Sequence, residues 1–162
     1  MPVAARASLR TSRSRLVNAA PDAVWNTLAA FDEIGRWATQ VDRASYTTAV
    51  TQGLGATRRV RASLLTLVET VTAWDPQRLL AYSIAGAPPV VRNVTNSWQL
   101  DAVPGGTMVT VTTSIEPRRY FIGRLAAAVF CWVMTMTSDK LLADLVVYHA
   151  LNVERAQRTR AT

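Results

Sequence analysis

The sequence predicts an α+β fold in which a curved antiparallel sheet wraps around one long C-terminal helix, with two short helices after the first strand. Three observations support this fold class. A short helical segment with a tryptophan lies early in the chain, strand-like segments fill the middle, and a long, very apolar helical segment closes it. Short turns separate the strand-like segments, which favours antiparallel hairpins. We expect this arrangement to leave an apolar hollow, which is by default a binding site.

The N-terminal region predicts one strand and two short helices. Residues Leu9–Val17 alternate between two faces, as the residues of a strand do. Pro21 suits the first position of a helix, and Asp22 places an acid in its first turn. A second helical segment covers residues 31–38 and carries Trp37. One stripe of the first helix is apolar and should pack under the sheet: Val24, Trp25 and Leu28.

The middle of the chain predicts six further strands, which are rich in Thr, Val, Leu and aromatic residues. They are Ala44–Thr51, Thr57–Ala62, Leu65–Trp74, Leu79–Ala85, Val91–Leu100 and Thr107–Glu116. The Gly105-Gly106 turn is predicted to pair Leu100 with Thr107. This register would set two pairs opposite each other: Trp98 with Val109, and Asn96 with Val111.

The closing helix is predicted from about Tyr120 to Arg155. Residues 125–138 contain no charge, and ten consecutive apolar residues are too few to span a membrane, so a buried core helix is expected. Val129, Val133 and Met136 form the predicted inward stripe of this helix. Phe130, Trp132 and Met134 add apolar surface beside it, so the first half of the helix is apolar nearly all round. We expect the second apolar face of this helix to be shielded from solvent by another surface. We expect a homodimer, with a membrane surface or a loop of the same chain as alternatives.

The net charge of +7 resides at the two ends of the chain. Residues 16–154 hold 11 basic and 11 acidic side chains, so the folded body is electrically balanced. We predict a ligand-binding domain over residues 8–154 with basic flexible tails at 1–7 and 155–162. Solvated tails are the preferred interpretation, and any contact with nucleic acid or a membrane surface would involve the tails alone.

Few side chains in the sequence offer catalytic chemistry. His149 is the sole histidine, Cys131 lies in an apolar run, and no ligand cluster suggests a metal or a cofactor. One unpaired cysteine and no visible signal peptide favour a cytoplasmic location. Glu69 shares a predicted strand face with apolar residues, so it is a candidate general base. The preferred interpretation is that Glu69 pairs with an arginine of the preceding strand: Arg58, Arg59 or Arg61.

Six short motifs carry a resemblance to a known family. They are Ala20–Trp25, Trp37, Gly55–Arg58, Glu69–Pro76, Leu80–Tyr82 and Gly105–Thr107. In this order the chain resembles, over about residues 8–152, the START-like superfamily, also called SRPBCC or helix-grip, in its polyketide cyclase/dehydrase-like branch. The resemblance implies a hydrophobic small molecule held between sheet and long helix, in a family of which only some members are enzymes.

The predicted function is therefore binding of a hydrophobic small molecule, lipid- or polyketide-like, in a cavity between sheet and C-terminal helix. One alternative is a polyketide aromatase/cyclase-like enzyme that uses Tyr82 or Glu69 for proton transfer. Another is a non-enzymatic interaction protein whose basic tails contact nucleic acid or anionic lipid. The predicted ligand-binding residues are Trp37, Tyr82, Asn96, Trp98, Val109, Val111, Val129, Val133 and Met136.

Overall fold

The computed structural model describes residues 8–89, 91–117 and 121–160, with the backbone alone at 121–124 and 127. The elements in chain order are β1 Leu9–Val17, α1 Pro21–Ala29, a 3-10 helix Phe31–Arg36, β2 Arg43–Tyr46, β3 Thr57–Ala62, β4 Leu65–Asp75, β5 Leu79–Ala85, β6 Val91–Val103, β7 Gly106–Pro117 and α2 Phe121–Arg160. The predicted α+β class is confirmed, with both short helices after the first strand.

The seven strands form one open antiparallel sheet in the order β1-β7-β6-β5-β4-β3-β2. Strands β2 to β7 are neighbours in chain order, whereas β1 returns to pair with β7. Helix α1 packs against β6 and β7, and α2 packs against β1 and β7. The apolar core therefore lies between one face of the sheet and the helices. Strand β2 is shorter than predicted, because residues 47–56 form bends and turns instead.

The hairpin between β6 and β7 has a tighter turn than predicted. Val103 pairs with Gly106, so two residues make the turn, and Leu100 pairs with Val109 rather than with Thr107. Gly105 has a φ of 90°, the left-handed conformation that follows a proline in a type II turn. Gly106 is also required, because a Cβ there would collide with the carbonyl oxygen of Val17.

From Asn93 onward, the corrected register moves each cross-strand partner by two positions. Trp98 lies opposite Val111 instead of Val109, and Asn96 lies opposite Thr113. A shift of two residues preserves the face on which a side chain lies, because side chains alternate along a strand. The predicted inward-facing set is therefore retained although its pairing was wrong.

Helix α2 is rotated about its axis relative to the prediction. Its inward side chains are Thr135, Ser138, Leu141, Leu142, Leu145 and His149, at helical spacing. Val129, Val133 and Met136, which the sequence predicted to line the hollow, are exposed. Two polar contacts to β1 accompany this orientation: Thr135 Oγ1 donates to Thr11 at 3.2 Å, and Asp139 accepts from Arg13 Nε at 3.2 Å.

The C-terminal end of α2 also differs from the prediction. The helix continues through residues 155–160, where the sequence predicted the start of a flexible tail. Residues 1–7 and 161–162 lie outside the described residues, so the division into a domain over 8–154 and two basic tails stays a prediction. Within the described chain, no helix combines the length and the apolar character needed to cross a bilayer.

An apolar face of α2 lies in solvent, and it consists of Leu125, Val129, Trp132, Val133 and Met136. Trp132 is 64% exposed. No charged residue occurs between positions 125 and 138. The face therefore offers no cation to an anionic membrane and no charge that would repel an identical face. This chemistry favours a second copy of the chain over a lipid surface as the cover.

We predict that the protein forms a homodimer at micromolar concentration through this face. The double variant Val129→Ser/Trp132→Ser should sediment as a monomer with an unchanged circular dichroism spectrum, because both side chains would leave the buried interface. Val147→Ser, at an exposed position further along α2, is the matched control and should remain dimeric. Sedimentation velocity distinguishes these outcomes, and a monomeric unmodified protein would contradict the prediction.

Candidate functional site

The interior beneath α1 and the 3-10 helix contains a small cavity. Its volume is about 10 Å³, which is room for a single water. The residues around it come from the short helices and from β3, β5 and β6: Thr27, Leu28, Ala30, Phe31, Ile34, Trp37, Arg58, Leu80, Tyr82 and Trp98. The expected hollow is thus largely filled by side chains, several of which are polar.

The hydroxyl of Tyr82 is the centre of a buried hydrogen-bond network. It accepts from Trp98 Nε1 at 3.1 Å and from Asn96 Nδ2 at 3.5 Å. The side-chain oxygen of Asn96 accepts from Thr113 Oγ1 at 2.7 Å, and Thr113 lies 3.4 Å from Ser138 Oγ. The network therefore runs from β5 across β6 and β7 to α2. Neighbouring strands position these side chains because Tyr82, Asn96 and Thr113 occupy one row across the sheet.

The surroundings of Tyr82 keep its phenol protonated. Burial raises the pKa of Tyr82 most strongly, and the nearby Glu69 carboxylate raises this pKa further. Arg58 and the hydrogen bonds from Trp98 and Asn96 act in the opposite direction without reversing the shift. At neutral pH Tyr82 is therefore a hydrogen-bond donor and acceptor and not a base.

Arg58, which lines the cavity, belongs to a buried ion pair. Arg58 of β3 and Glu69 of β4 are register partners, and their side chains are 4% and 8% exposed. Arg58 Nε and Nη2 donate to one carboxylate oxygen of Glu69 at 2.6 and 2.5 Å. Arg58 Nη1 donates to the carbonyl oxygen of Phe31, and its guanidinium lies 3.7 Å from the centre of the Phe31 ring. The ion pair thus connects the sheet to the 3-10 helix.

Aromatic rings from the short helices meet aromatic rings of the sheet across the cavity. Trp37 packs edge-on against Trp98 at a centroid distance of 6.0 Å. Phe31 packs in the same manner against Tyr82 at 5.5 Å. Such edge-to-face pairs contribute about 0.5–1.5 kcal/mol beyond the burial of their area. They present ring edges and apolar carbon around the polar groups.

Trp37 carries an unsatisfied donor. Among the described residues, its indole Nε1 is the buried side-chain polar atom that has no hydrogen-bond partner. Trp37 directly follows the 3-10 helix and is 7% exposed. It also borders a larger hollow of about 230 Å³ that opens at the surface between α1, the 3-10 helix and α2. The residues of this surface hollow are Asn26, Thr27, Ala30, Glu33, Arg36, Trp37 and Tyr148.

The cavity and the surface hollow share a wall made of Thr27, Ala30 and Trp37. At the rim, Arg36 Nη1 and Glu33 form an ion pair at 3.0 Å. Within this wall, the Oγ1 atom of Thr27 lies 3.2 Å from Nε2 of His149 in α2, within hydrogen-bond distance. His149 is buried, and burial lowers its pKa below the ordinary value of 6.5.

The structure brings together some of the predicted site residues and separates others. Trp37, Tyr82 and Trp98 line the cavity, and Asn96 lies directly behind Tyr82 in the network. Val109 and Val111 are fully buried in the core beside them and are not among the residues that line the cavity. The three α2 residues Val129, Val133 and Met136 point away from it.

Several residues of the site were missed from the sequence. Phe31 and Ile34 are one helical interval apart, and this spacing could have identified them as the inner face of the 3-10 helix. Thr113 follows Val109 and Val111 along β7 at intervals of two residues, so the period of the strand places it on the same face. Its role depends on its distance to Asn96, which no local pattern indicates.

The two catalytic candidates are held in structural contacts. Glu69 is paired with Arg58, in agreement with the interpretation that it pairs with an arginine of the preceding strand. Tyr82 takes part in the hydrogen-bond network. Burial raises the pKa of the Cys131 thiol, which opposes activation as a nucleophile. In the described part of the chain, no three His, Cys, Asp or Glu side chains are close enough to hold a metal ion.

The fold and the interior site define a protein of the helix-grip, or SRPBCC, class. Residues 8–149 match the family described as polyketide cyclase/dehydrase and lipid transport, and the chain belongs to this family. The predicted resemblance is thereby confirmed. No curated protein matches the chain.

Solved structures with the same fold include two aromatase/cyclases. The Zhui aromatase/cyclase from a Streptomyces species is 16% identical, with a TM-score of 0.76 over 91% of this chain and 96% of that chain. The di-domain aromatase/cyclase StfQ of the steffimycin biosynthetic pathway is 12% identical, with a TM-score of 0.73 over 91% of this chain and 52% of that one. XoxI from Bacillus cereus is 20% identical, with a TM-score of 0.68 over 90% and 97%.

The buried ion pair generates a stability prediction. Glu69→Leu and Arg58→Met should each lower the free energy of unfolding by about 3–5 kcal/mol, because each leaves one buried charge unpaired. The double variant Arg58→Met/Glu69→Leu should lose less than the sum of the two, because no charge remains buried. Urea unfolding of all four proteins measures the coupling. Additive losses, within about 0.5 kcal/mol, would show that the two side chains do not interact.

The lowered pKa of His149 predicts a pH dependence. Below pH 6.5 the unfolded chain binds a proton at this residue before the folded chain does. The free energy of unfolding should therefore fall as the pH drops from 6.5 through the folded-state pKa. His149→Gln, which can still hydrogen-bond Thr27, should lose this part of the dependence. Urea titrations between about pH 7.5 and about pH 5 compare the two proteins, and parallel curves would refute the role of His149.

Proposed function

We propose that this protein binds one hydrophobic small molecule, lipid- or polyketide-like, in the interior between the sheet, the short helices and α2. The observation that carries the proposal is the group of buried polar and aromatic side chains around a space that the protein does not fill. Tyr82, Trp98, Arg58 and Trp37 all meet there. A plain core would contain aliphatic side chains at these positions, because buried polar groups are costly unless they have partners.

The composition of the site supports binding of a mostly apolar molecule. Ligand sites usually consist of hydrophobic and aromatic surface with a few convergent polar groups. Here Leu28, Ile34 and Leu80 supply apolar surface, and two edge-to-face aromatic pairs also line the cavity. The family description, which includes lipid transport, agrees with such a ligand.

Binding requires the site to open. A cavity of about 10 Å³ holds one water, whereas sites for drug-sized ligands occupy ~300–1,000 Å³. The surface hollow of about 230 Å³ lies on the other side of the wall formed by Thr27, Ala30 and Trp37. An outward movement of this wall would join the two spaces, and displacement of its side chains would enlarge the joined space further. Ala30 and Trp37 flank the 3-10 helix, and short 3-10 segments have weaker hydrogen-bond geometry than α-helices.

Binding is better supported than a cyclase-like reaction. The relatives of known fold include aromatase/cyclases, but their low identity to this chain supports the fold alone. Proton transfer at neutral pH needs an acid or base whose pKa lies near 7. The pKa of Tyr82 is raised from 10, and the carboxylate of Glu69 is held by Arg58. The polar groups of the interior therefore suit orientation of a ligand more than proton transfer.

The shared wall provides a direct test of the location. The neutral apolar dye N-phenyl-1-naphthylamine should bind at about one molecule per chain, with enhanced fluorescence. Ala30→Leu should weaken binding about tenfold, because the larger side chain fills the junction between cavity and hollow. Ala23→Leu, at an exposed position of α1, is the matched control and should bind the dye normally.

Two results would argue against this function. One is an absence of saturable dye binding in the unmodified protein. The other is an equal affinity of the unmodified protein, Ala30→Leu and Ala23→Leu, which would place the dye elsewhere. Native mass spectrometry of the purified protein adds an independent measurement, because a bound hydrophobic molecule should appear as a discrete mass increment.

A further inference from the structure

We propose that Trp37 Nε1 donates a hydrogen bond to a neutral carbonyl oxygen of the bound molecule. Trp37 would thereby select carbonyl-bearing ligands over hydrocarbons of the same shape and over carboxylates. This inference rests on the proposed function and adds the residue that discriminates among hydrophobic ligands.

The first argument is the state of the indole donor. Trp37 Nε1 is buried and has no partner within the described chain, although buried indole groups usually find one. By contrast, Trp98 Nε1, whose side chain also lines the cavity, donates to the Tyr82 hydroxyl. The two tryptophans pack against each other, so of the two indole donors at this site one is committed and one is available. An acceptor atom on a ligand is the natural partner for the available one.

The second argument is location. Trp37 lines both the interior cavity and the surface hollow. A molecule that occupies either space, or spans both, therefore lies against its side chain. Trp37 therefore lies between the apolar interior and the more polar rim of the surface hollow, which contains Asn26, Glu33 and Arg36.

The third argument is the balance of charge. Two arginines border these spaces, and both have acidic partners: Arg58 is paired with Glu69, and Arg36 with Glu33. Arg58 also donates to the carbonyl oxygen of Phe31. A buried ligand carboxylate would thus have no uncommitted cation among the described lining residues, and burial of an unpaired charge is costly. A neutral acceptor such as a ketone has no such cost.

Three naphthalene probes of similar size test this selectivity. They are 2-acetylnaphthalene, 2-isopropenylnaphthalene, which replaces the carbonyl oxygen by CH₂, and 2-naphthoate. The unmodified protein should bind the ketone about tenfold more tightly than the alkene and should bind the carboxylate more weakly than the ketone. Trp37→Phe should bind ketone and alkene with equal affinity, while the alkene affinity changes little. Trp132→Phe, at the exposed face of α2, is the control and should keep the preference for the ketone.

A spectroscopic measurement on the unmodified protein makes the test independent of any folding defect in the variant. Five tryptophans give five indole N–H signals, and the signal absent from Trp37→Phe identifies that of Trp37. The ketone should shift this signal downfield, as hydrogen bonding does, and the alkene should not.

The outcomes are distinguishable. If no probe binds, the proposed function fails and this inference fails with it. If ketone and alkene bind equally to the unmodified protein, or if the ketone leaves the Trp37 signal unshifted, binding is retained and the role of Trp37 is overturned. If the carboxylate binds as tightly as the ketone, the charge argument is overturned.

Discussion

The buried ion pair of Arg58 and Glu69 connects the two layers that enclose the interior. The charges lie on adjacent strands, and Arg58 reaches from the sheet to the carbonyl oxygen and the ring of Phe31. Removing two charges from water costs free energy that good geometry must offset. The position of the 3-10 helix depends on this contact, and Trp37 follows that helix directly. The ion pair therefore holds against the sheet the helix that precedes Trp37.

A second polar connection orients the long helix. The row of Tyr82, Asn96 and Thr113 ends at Ser138, and Thr135 bonds to Thr11 on β1. These contacts turn one side of α2 toward the sheet and leave its other apolar side in solvent. The same hydrogen bonds thus organise the interior and decide which surface is available for association.

The polar groups of the interior are mostly paired with one another, and this pairing limits the chemistry of the site. Tyr82 is kept neutral, Glu69 is paired with Arg58, and Trp37 Nε1 is the buried side-chain polar atom without a partner among the described residues. A helix-grip fold supports many functions, so the fold class alone does not choose among them. The distribution of committed and uncommitted donors is what favours recognition of a neutral ligand.

The sequence by itself determined the fold class, the order of the elements and the inward faces of the strands. Alternation with period two identified Tyr82, Asn96 and Trp98 as inward even though the β6–β7 register was wrong by two residues. It could not determine the rotation of α2, because a segment that is apolar nearly all round has no preferred face. Contacts between residues distant in the chain decided that rotation. Such contacts also decided which of the neighbouring arginines pairs with Glu69, and how far side chains fill the interior.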